Sequence, residues 1–451
     1  MGDAEYVAPE NLAVGMFVIL ELSWLKHPFS FNSFVVQNEE ELATLRSLGL
    51  KKIRIDRSRS QLVSAAATVA APAAPADVAA PAAPAEVAEV AEVAEVAAPV
   101  ESPAQLEGTS DTAPAVSMAD EKTLRMEQSR ALRASIARAE KQAAKAAKTV
   151  RHATTSLRTE PAKAIGMAND LVAGIAESLL GSSEVMVHLL GDQGDGDAVY
   201  HHSLSVAVLA LILGKAMELD ADTLQTVGVA AIFHDIGMAD APSNVLHKNG
   251  PLPQAEQAAM RQHCEIGAKM ALRCGLPEAV VAAILQHHER LDGSGYPYRL
   301  TGDQIGQVAR IIAITNHYDH LCNPANVAAA LTAFEALSTM FARQKNWFDM
   351  AMLAKLIRIL GVYPPGSIVQ LSTGATAMVI SVNTARPLQP MLLVYDAVIP
   401  KSDAIILDLE KSPEISISKA LRTASLAPAV HEYLSPRKRV TYYFGEDART
   451  D

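Results

Sequence analysis

The chain has 451 residues, enough for about three domains at roughly 150 residues each. Its 39 Lys and Arg against 50 Asp and Glu leave a net charge of -11, which disfavours a broad nucleic-acid surface and so a DNA partner. Three cysteines outside any C-x-x-C pair, a longest apolar run confined to about 204–213 and no signal-peptide order at the start disfavour secreted, disulfide-stapled and membrane-spanning classes and point to a cytoplasmic protein.

In chain order, residues 5–60 read as a small α+β module. Strand candidates at 14–22 and 34–37 precede Asn38, whose partner Glu41 stands three residues on as in a helix cap, and Gly49 as a stop. Residues 51–56 alternate charged and apolar, as a half-buried strand does. Residues 61–118 change to Ala, Pro, Val and Glu with a repeated Ala-Glu-Val tripeptide, a composition that buries too little to offset its ordering entropy and reads as a disordered linker. Residues 119–190 read as connecting helices. Nine Lys/Arg against four Asp/Glu over 119–151 favour a solvated helix over an arm for an acidic partner. Residues 191–365 carry helical periodicity, 366–411 alternate like a small β subdomain, and 412–451 read as a loosely ordered tail. The fold class is therefore mainly α: a helical bundle with a small α+β domain before it and a small β subdomain after it.

Nine of the 13 histidines fall between 201 and 320. Helical spacing puts His202 on a stripe with Val206, Leu209 and Leu213, and continues Leu224, Val227, Ala231 and Ile232 to Asp235, with His234 beside it. A third helix carries His263. A fourth starts at Pro277 and leads through Val281, Ile284 and Leu285 to His288, next to His287, and a fifth aligns Ile305, Val308, Ile312, Asn316 and Asp319. Five helices thus aim polar residues at one interior. A buried Asp235 without a partner would cost several kcal/mol. A divalent transition metal removes that cost, and mixed His/Asp donors suit Fe, Mn or Zn.

These residues resemble the HD phosphohydrolase superfamily. His234-Asp235 reads like its name-giving doublet. The run His287-His288-Glu289-Arg290-Leu291-Asp292-Gly293-Ser294-Gly295-Tyr296-Pro297 resembles the signature of its HD-GYP branch, with Lys248 and His263 in the expected order. The front module, with Gly15-Met16-Phe17-Val18 and Trp24 to Phe29, is similar to an uncharacterised module often found ahead of HD-GYP domains. The resemblance implies an HD-type bundle over 191–365 and a phosphodiesterase that hydrolyses cyclic di-GMP to linear dinucleotide or GMP through a metal-bridging hydroxide. It implies two divalent ions, Fe or Mn, with Asp235 bridging, His202 and His234 on one side, and His263, His287 and His288 on the other. Asp235 and Lys248 carry the catalytic role, and Lys248, Arg290, Asp292, Gly293, Gly295, Tyr296 and Pro297 shape or bind the substrate. Diguanylate cyclase-type or other signalling proteins are partners it allows, as is a homodimer.

The chain departs from that pattern. The family's last ligand aspartate is Asn316 here, so one anion is lost; Asp319, a turn further, is a candidate substitute, and His317 and His320 are further substitutes that read rather as surface residues. Met238 replaces a common lysine, Ala198 stands where a glutamate would favour a third metal, and 321–327 lacks the family's basic stretch. Two readings follow: an enzyme of weakened activity, or a degenerate module that binds nucleotide or a signalling partner and regulates without turnover.

Overall fold

The computed structural model of the chain describes residues 5–21, 27, 29, 33–57, 60, 118–181, 185–189, 198–240, 253–324, 329–397, 399–401, 404–434 and 442–446. The linker expected over 61–118 lies outside the described residues apart from Met118, and Lys248 lies outside them entirely. In the front module, strands β1 (Glu5–Val7), β2 (Phe17–Ile19), β3 (Ser33–Val35) and β4 (Ile53–Asp56) form an antiparallel sheet in the order β1-β4-β2-β3. Helix α1 (Glu39–Ser47) starts as its sequence requires: the Asn38 side chain accepts from the Glu41 N–H at 2.8 Å, and Glu41 accepts from the Gln37 N–H at 2.7 Å. Its Leu42 and Leu45 pack on Val18, Leu20, Phe34, Ile53 and Ile55 of the sheet side.

Helices α2 (Met118–Ser156) and α3 (Pro161–Gly181) form a hairpin. The solvated connecting helix expected here needs correction. Ala139, Ala143, Ala146, Ala147, Val150 and Ala153 of α2 recur every three or four residues and are buried in the main core, while Lys141, Lys145, Lys148 and Arg151 are exposed. The charge run marks only the outer face; the alanines opposite let neighbouring helices approach closely.

Strand β5 (Val185–Leu189) leads to the bundle: α4 (Ala198–Ala216), α5 (Ala221–Phe233), a short 3-10 turn (Ile236–Asp240), α6 (Gln254–Arg261), α7 (His263–Arg273), α8 (Glu278–Gln286), α9 (Gln307–Cys322), α10 (Ala333–Arg343) and α11 (Met350–Leu360). Helix α4 is buried all round from Ser203 to Gly214, because α2, α5, α9 and α11 surround it. That position explains why, among the described residues, it alone is long and apolar enough to cross a membrane. Caps fix the ends of its neighbours. Asp220 accepts from the Thr223 N–H at 2.9 Å at the start of α5, and Thr332 with Glu335 forms a capping box on α10.

Beyond the bundle lie β6 (Ile368–Leu371), β7 (Thr376–Asn383), β8 (Met391–Val394), β9 (Ile406–Asp408), β10 (Ile417–Leu421), α12 (Pro428–Leu434) and β11 (Tyr442–Glu446). The sheet is larger than the sequence suggested. It runs β10-β6-β7-β5-β11, with β8 pairing β7 and β9, so it recruits β5 from ahead of the bundle. The tail expected to be loose supplies β10, α12 and β11, and Tyr443 of β11 is buried in the main core. The whole is mainly α with small sheets, as its periodicities indicate.

Candidate metal centre

Helix α5 ends at Phe233, so His234 and Asp235 occupy the turn that follows. Gly237 sets what that turn faces. A Cβ there would lie 2.0 Å from the His263 carbonyl oxygen and 2.6 Å from the Gly267 nitrogen. The turn therefore meets the backbone of α7 directly, and Asp235 comes against His263. His287 and His288 follow the last residue of α8, His202 lies in the second turn of α4, and Asn316 lies in the buried middle of α9.

The two carboxylate oxygens of Asp235 divide the histidines between them. Oδ2 is 3.8 Å from His202 Nε2 and 3.4 Å from His234 Nε2, whereas Oδ1 is 3.4 Å from His263 Nε2 and 3.5 Å from His287 Nε2. A donor atom of His288 lies within 4.8 Å of those of Asp235, His263 and His287. The outer ring nitrogens are tied down. Nδ1 of His234, His263 and His287 stands 2.7, 2.6 and 2.7 Å from the carbonyls of Ala231, Met260 and Ile284. A carbonyl only accepts, so each Nδ1 donates its proton outward and each Nε2 faces the shared interior. Yet Nε2 of His263 and Nε2 of His287 are 3.3 Å apart. Two lone pairs and a carboxylate oxygen at such range repel one another unless a cation lies among them. Asp235 Oδ1 and Asn316 Oδ1 are both buried without a hydrogen-bond partner, so each has a lone pair to give to such an ion. The donor set fits a transition metal on each side of Asp235.

The electrostatics agree. Burial alone would raise the Asp235 carboxyl, but His234, His287 and His263 around it hold it well below the usual carboxylate range. Burial pushes His287 down to about 4 and lowers His288 as well, so both rings are neutral and ready as ligands. His202 differs: burial would lower it, but the Asp319 carboxylate, whose Oδ2 is 2.6 Å from Nδ1, outweighs that and raises it. Asp319 is thus not the substitute ligand expected from the sequence. Its Oδ2 orients His202 from behind and its Oδ1 accepts from Asn323 Nδ2 at 3.1 Å, so both oxygens face away from the shared centre.

The Gly-Tyr-Pro loop closes one side. Glu289, only 2% exposed, accepts from the N–H groups of Tyr298 at 2.7 Å and Leu300 at 3.0 Å and pins the loop to the end of α8. Gly295 has no room for a side chain: a Cβ would lie 2.4 Å from the Arg290 nitrogen. The Tyr296–Pro297 bond is cis. The Tyr296 ring stacks on His288 with centroids 4.7 Å apart, and burial raises its phenol, which stays protonated. The Arg290 guanidinium lies 3.3 Å from the centroid of Trp347, and Arg261 lies 5.1 Å from that of Tyr296. Asp292 accepts from the Ser294 N–H at 2.9 Å, and Gly293 has φ +75°, so these two build the turn.

Of the two residues read as surface positions, His317 is half-buried and His320 is exposed. His317 bonds to Gln344 at 2.8 Å and packs against Trp347 and Phe348. His320 presents a donor within 4.8 Å of those of His202 and Asp235. Glu289 was not singled out from the sequence at all. Its adjacency to the His pair was visible, but its burial depends on the loop folding back.

The HD domain family matches residues 185–352, and a domain of unknown function, DUF3391, matches residues 6–168. A cyclic di-GMP phosphodiesterase of Pseudomonas aeruginosa is 29% identical over 388 residues, covering 85% of this chain and 83% of its own. A 3'3'-cGAMP-specific phosphodiesterase of Vibrio cholerae is 39% identical over 151 residues, covering 33% of this chain but only 28% of its own. A solved HDGYP-type protein from Bdellovibrio bacteriovorus aligns with 79% of this chain and 99% of its own at a TM-score of 0.38 and 13% identity. The doublet, the His pair and the Gly-Tyr-Pro loop thus gather on one site within the region that matches the HD domain, behind a region that matches DUF3391.

Proposed function

We propose that the protein is a metal-dependent phosphodiesterase that opens cyclic di-GMP, giving the linear dinucleotide or GMP. The observation that carries this is the facing pair of Nε2 lone pairs, His263 and His287 at 3.3 Å, beside an unpartnered Asp235 oxygen. His202 and His234 would hold one ion together with Asp235, and His263, His287 and His288 would hold the other from the opposite side of that carboxylate. Fe or Mn suits these donors. When bound, such a pair acidifies a water and stabilises charge on the attacking and leaving oxygens of a phosphodiester.

The chain's own residues do the rest. Carbonyls of Ala231, Met260 and Ile284 hold three rings in the tautomer that faces inward. Asp235 stays ionised and draws cations between the rings. Tyr296 keeps its phenolic proton and offers it to a phosphate oxygen at the mouth, where Arg261 and Arg290 add positive charge. Asp292, Gly293 and Pro297 belong to the same substrate-facing loop, and Lys248 is carried from the sequence resemblance as a further phosphate-binding residue. The relatives' cyclic dinucleotide substrates support this choice, and the cytoplasm is where such signalling nucleotides act.

Protein purified without oxygen and supplied with Fe(II) or Mn(II) is expected to bind metal and convert cyclic di-GMP faster than 3'3'-cGAMP. A second reading, a regulator without turnover, is favoured by the uncharged Asn316, by Met238 and by the missing basic stretch at 321–327. Bound metal with neither linear dinucleotide nor GMP formed would support it over the enzyme. A chain that takes up no metal sinks both.

A further inference from the structure

We propose that His320 is a metal ligand of this centre and supplies, on the His202 side, a strong donor where Asn316 offers only a neutral amide oxygen. The inference rests on the metal-centre reading above and assigns one residue within it. His320 follows Asn316 by four positions on α9, so both side chains leave the same face of the helix, one turn apart. Its ring centroid lies 4.8 Å from that of His202, and its donor nitrogen falls within 4.8 Å of the His202 and Asp235 donors. His320 lines one recess with His287, His288, Tyr296 and Asn316.

The two sides of the centre otherwise differ. Oδ1 of Asp235 has three imidazoles, His263, His287 and His288, while Oδ2 has only His202 and His234. An amide oxygen from Asn316 adds a weak neutral donor. An imidazole from His320 adds a strong one and brings this side to three nitrogens as well. Asp319 supplies the missing negative charge one bond further out: with its carboxylate 2.6 Å from His202 Nδ1, it makes that ring a more basic ligand. The anion lost at position 316 is thus offset by a nitrogen from the next turn and by a carboxylate behind a neighbouring ligand. A set so rich in imidazole favours Fe, Zn or Ni over Mn on this side.

The test counts ions. Wild type, His320→Ala, His320→Gln, Asn316→Asp and the double variant Asn316→Asp/His320→Ala are loaded with Fe(II), Zn(II) or Co(II), desalted and assayed for metal per chain; visible absorption of the Co(II) forms reports the donors. Wild type is expected to hold about two ions. His320→Ala and His320→Gln should each fall to about one and lose part of the Co(II) absorption, and the double variant should recover the second ion through the new carboxylate. His320 is exposed at the mouth, so neither single variant removes core packing. Full metal content and an unchanged Co(II) spectrum in both single variants overturn the role of His320 while leaving the metal centre and the hydrolase reading intact. Failure of the double variant to regain the ion overturns the compensation. A wild type without metal overturns the centre itself.

Discussion

Asp235 is the anion on which both halves of the centre converge, and replacing it tests that directly. Asp235→Asn keeps the shape and one acceptor but removes the charge that offsets two cations; metal per chain measured by mass spectrometry should fall below about a tenth of wild type. His287 makes a second case, through protons. Its folded pKa of about 4 lies below the ordinary 6.5, so the unfolded chain takes up a proton first as pH falls. The stability tied to its neutral ring is fully present above about 6.5 and is lost as pH drops towards 4, on the order of 3 kcal/mol. Melting of the metal-free protein in chelator should therefore shift down across that window, and His287→Gln should flatten the shift. At this scale the sequence was informative where helical spacing decides direction, as for His202 on α4, whereas Asp235 and His288 lie in turns just past the ends of their helices. It was silent where a partner decides. Asp319 and His320 are adjacent on α9, yet one turns to His202 Nδ1 and the other to the mouth, and no periodicity separates those outcomes.

At the scale of elements, the contact of the Asp235 turn with α7 matters most. Gly237→Ala places a methyl 2.0 Å from the His263 carbonyl oxygen, which forces α7 outward and takes His263 from Asp235. Overpacking of this kind costs about 1–3 kcal/mol, and for a unit of this size lowers Tm by roughly 2–12 °C. Metal content should fall in the same variant even at temperatures where it is folded, which separates misplacement of the histidine from simple loss of stability. Element types were readable where local chemistry is strong: the Asn38 cap, the apolar α4, the alternation of β7. The inner face of α2 was not, because alanine spacing is faint against a run of Lys and Arg.

Over the whole molecule, the second sheet is the feature that no local pattern announced, since pairing of β5 with β11 joins residues on opposite sides of the bundle. Tyr443 packs from β11 into the main core at 6% exposure. Tyr443→Ala should cost about 3 kcal/mol and lower Tm by roughly 6–12 °C in a differential scanning measurement. Metal content of the folded variant should stay at the wild-type level, because Tyr443 lines a recess with residues of α2 and α3 and is not part of the cluster around Asp235.

The same pairing bears on how the protein is made. Val185 is synthesised before any helix of the bundle, and its partner Glu446 only after all of them. On the ribosome, β5 must therefore remain without that neighbour through the birth of every histidine ligand, and the core beside it can seal only after β11 has emerged. Such late, long-distance closure slows folding.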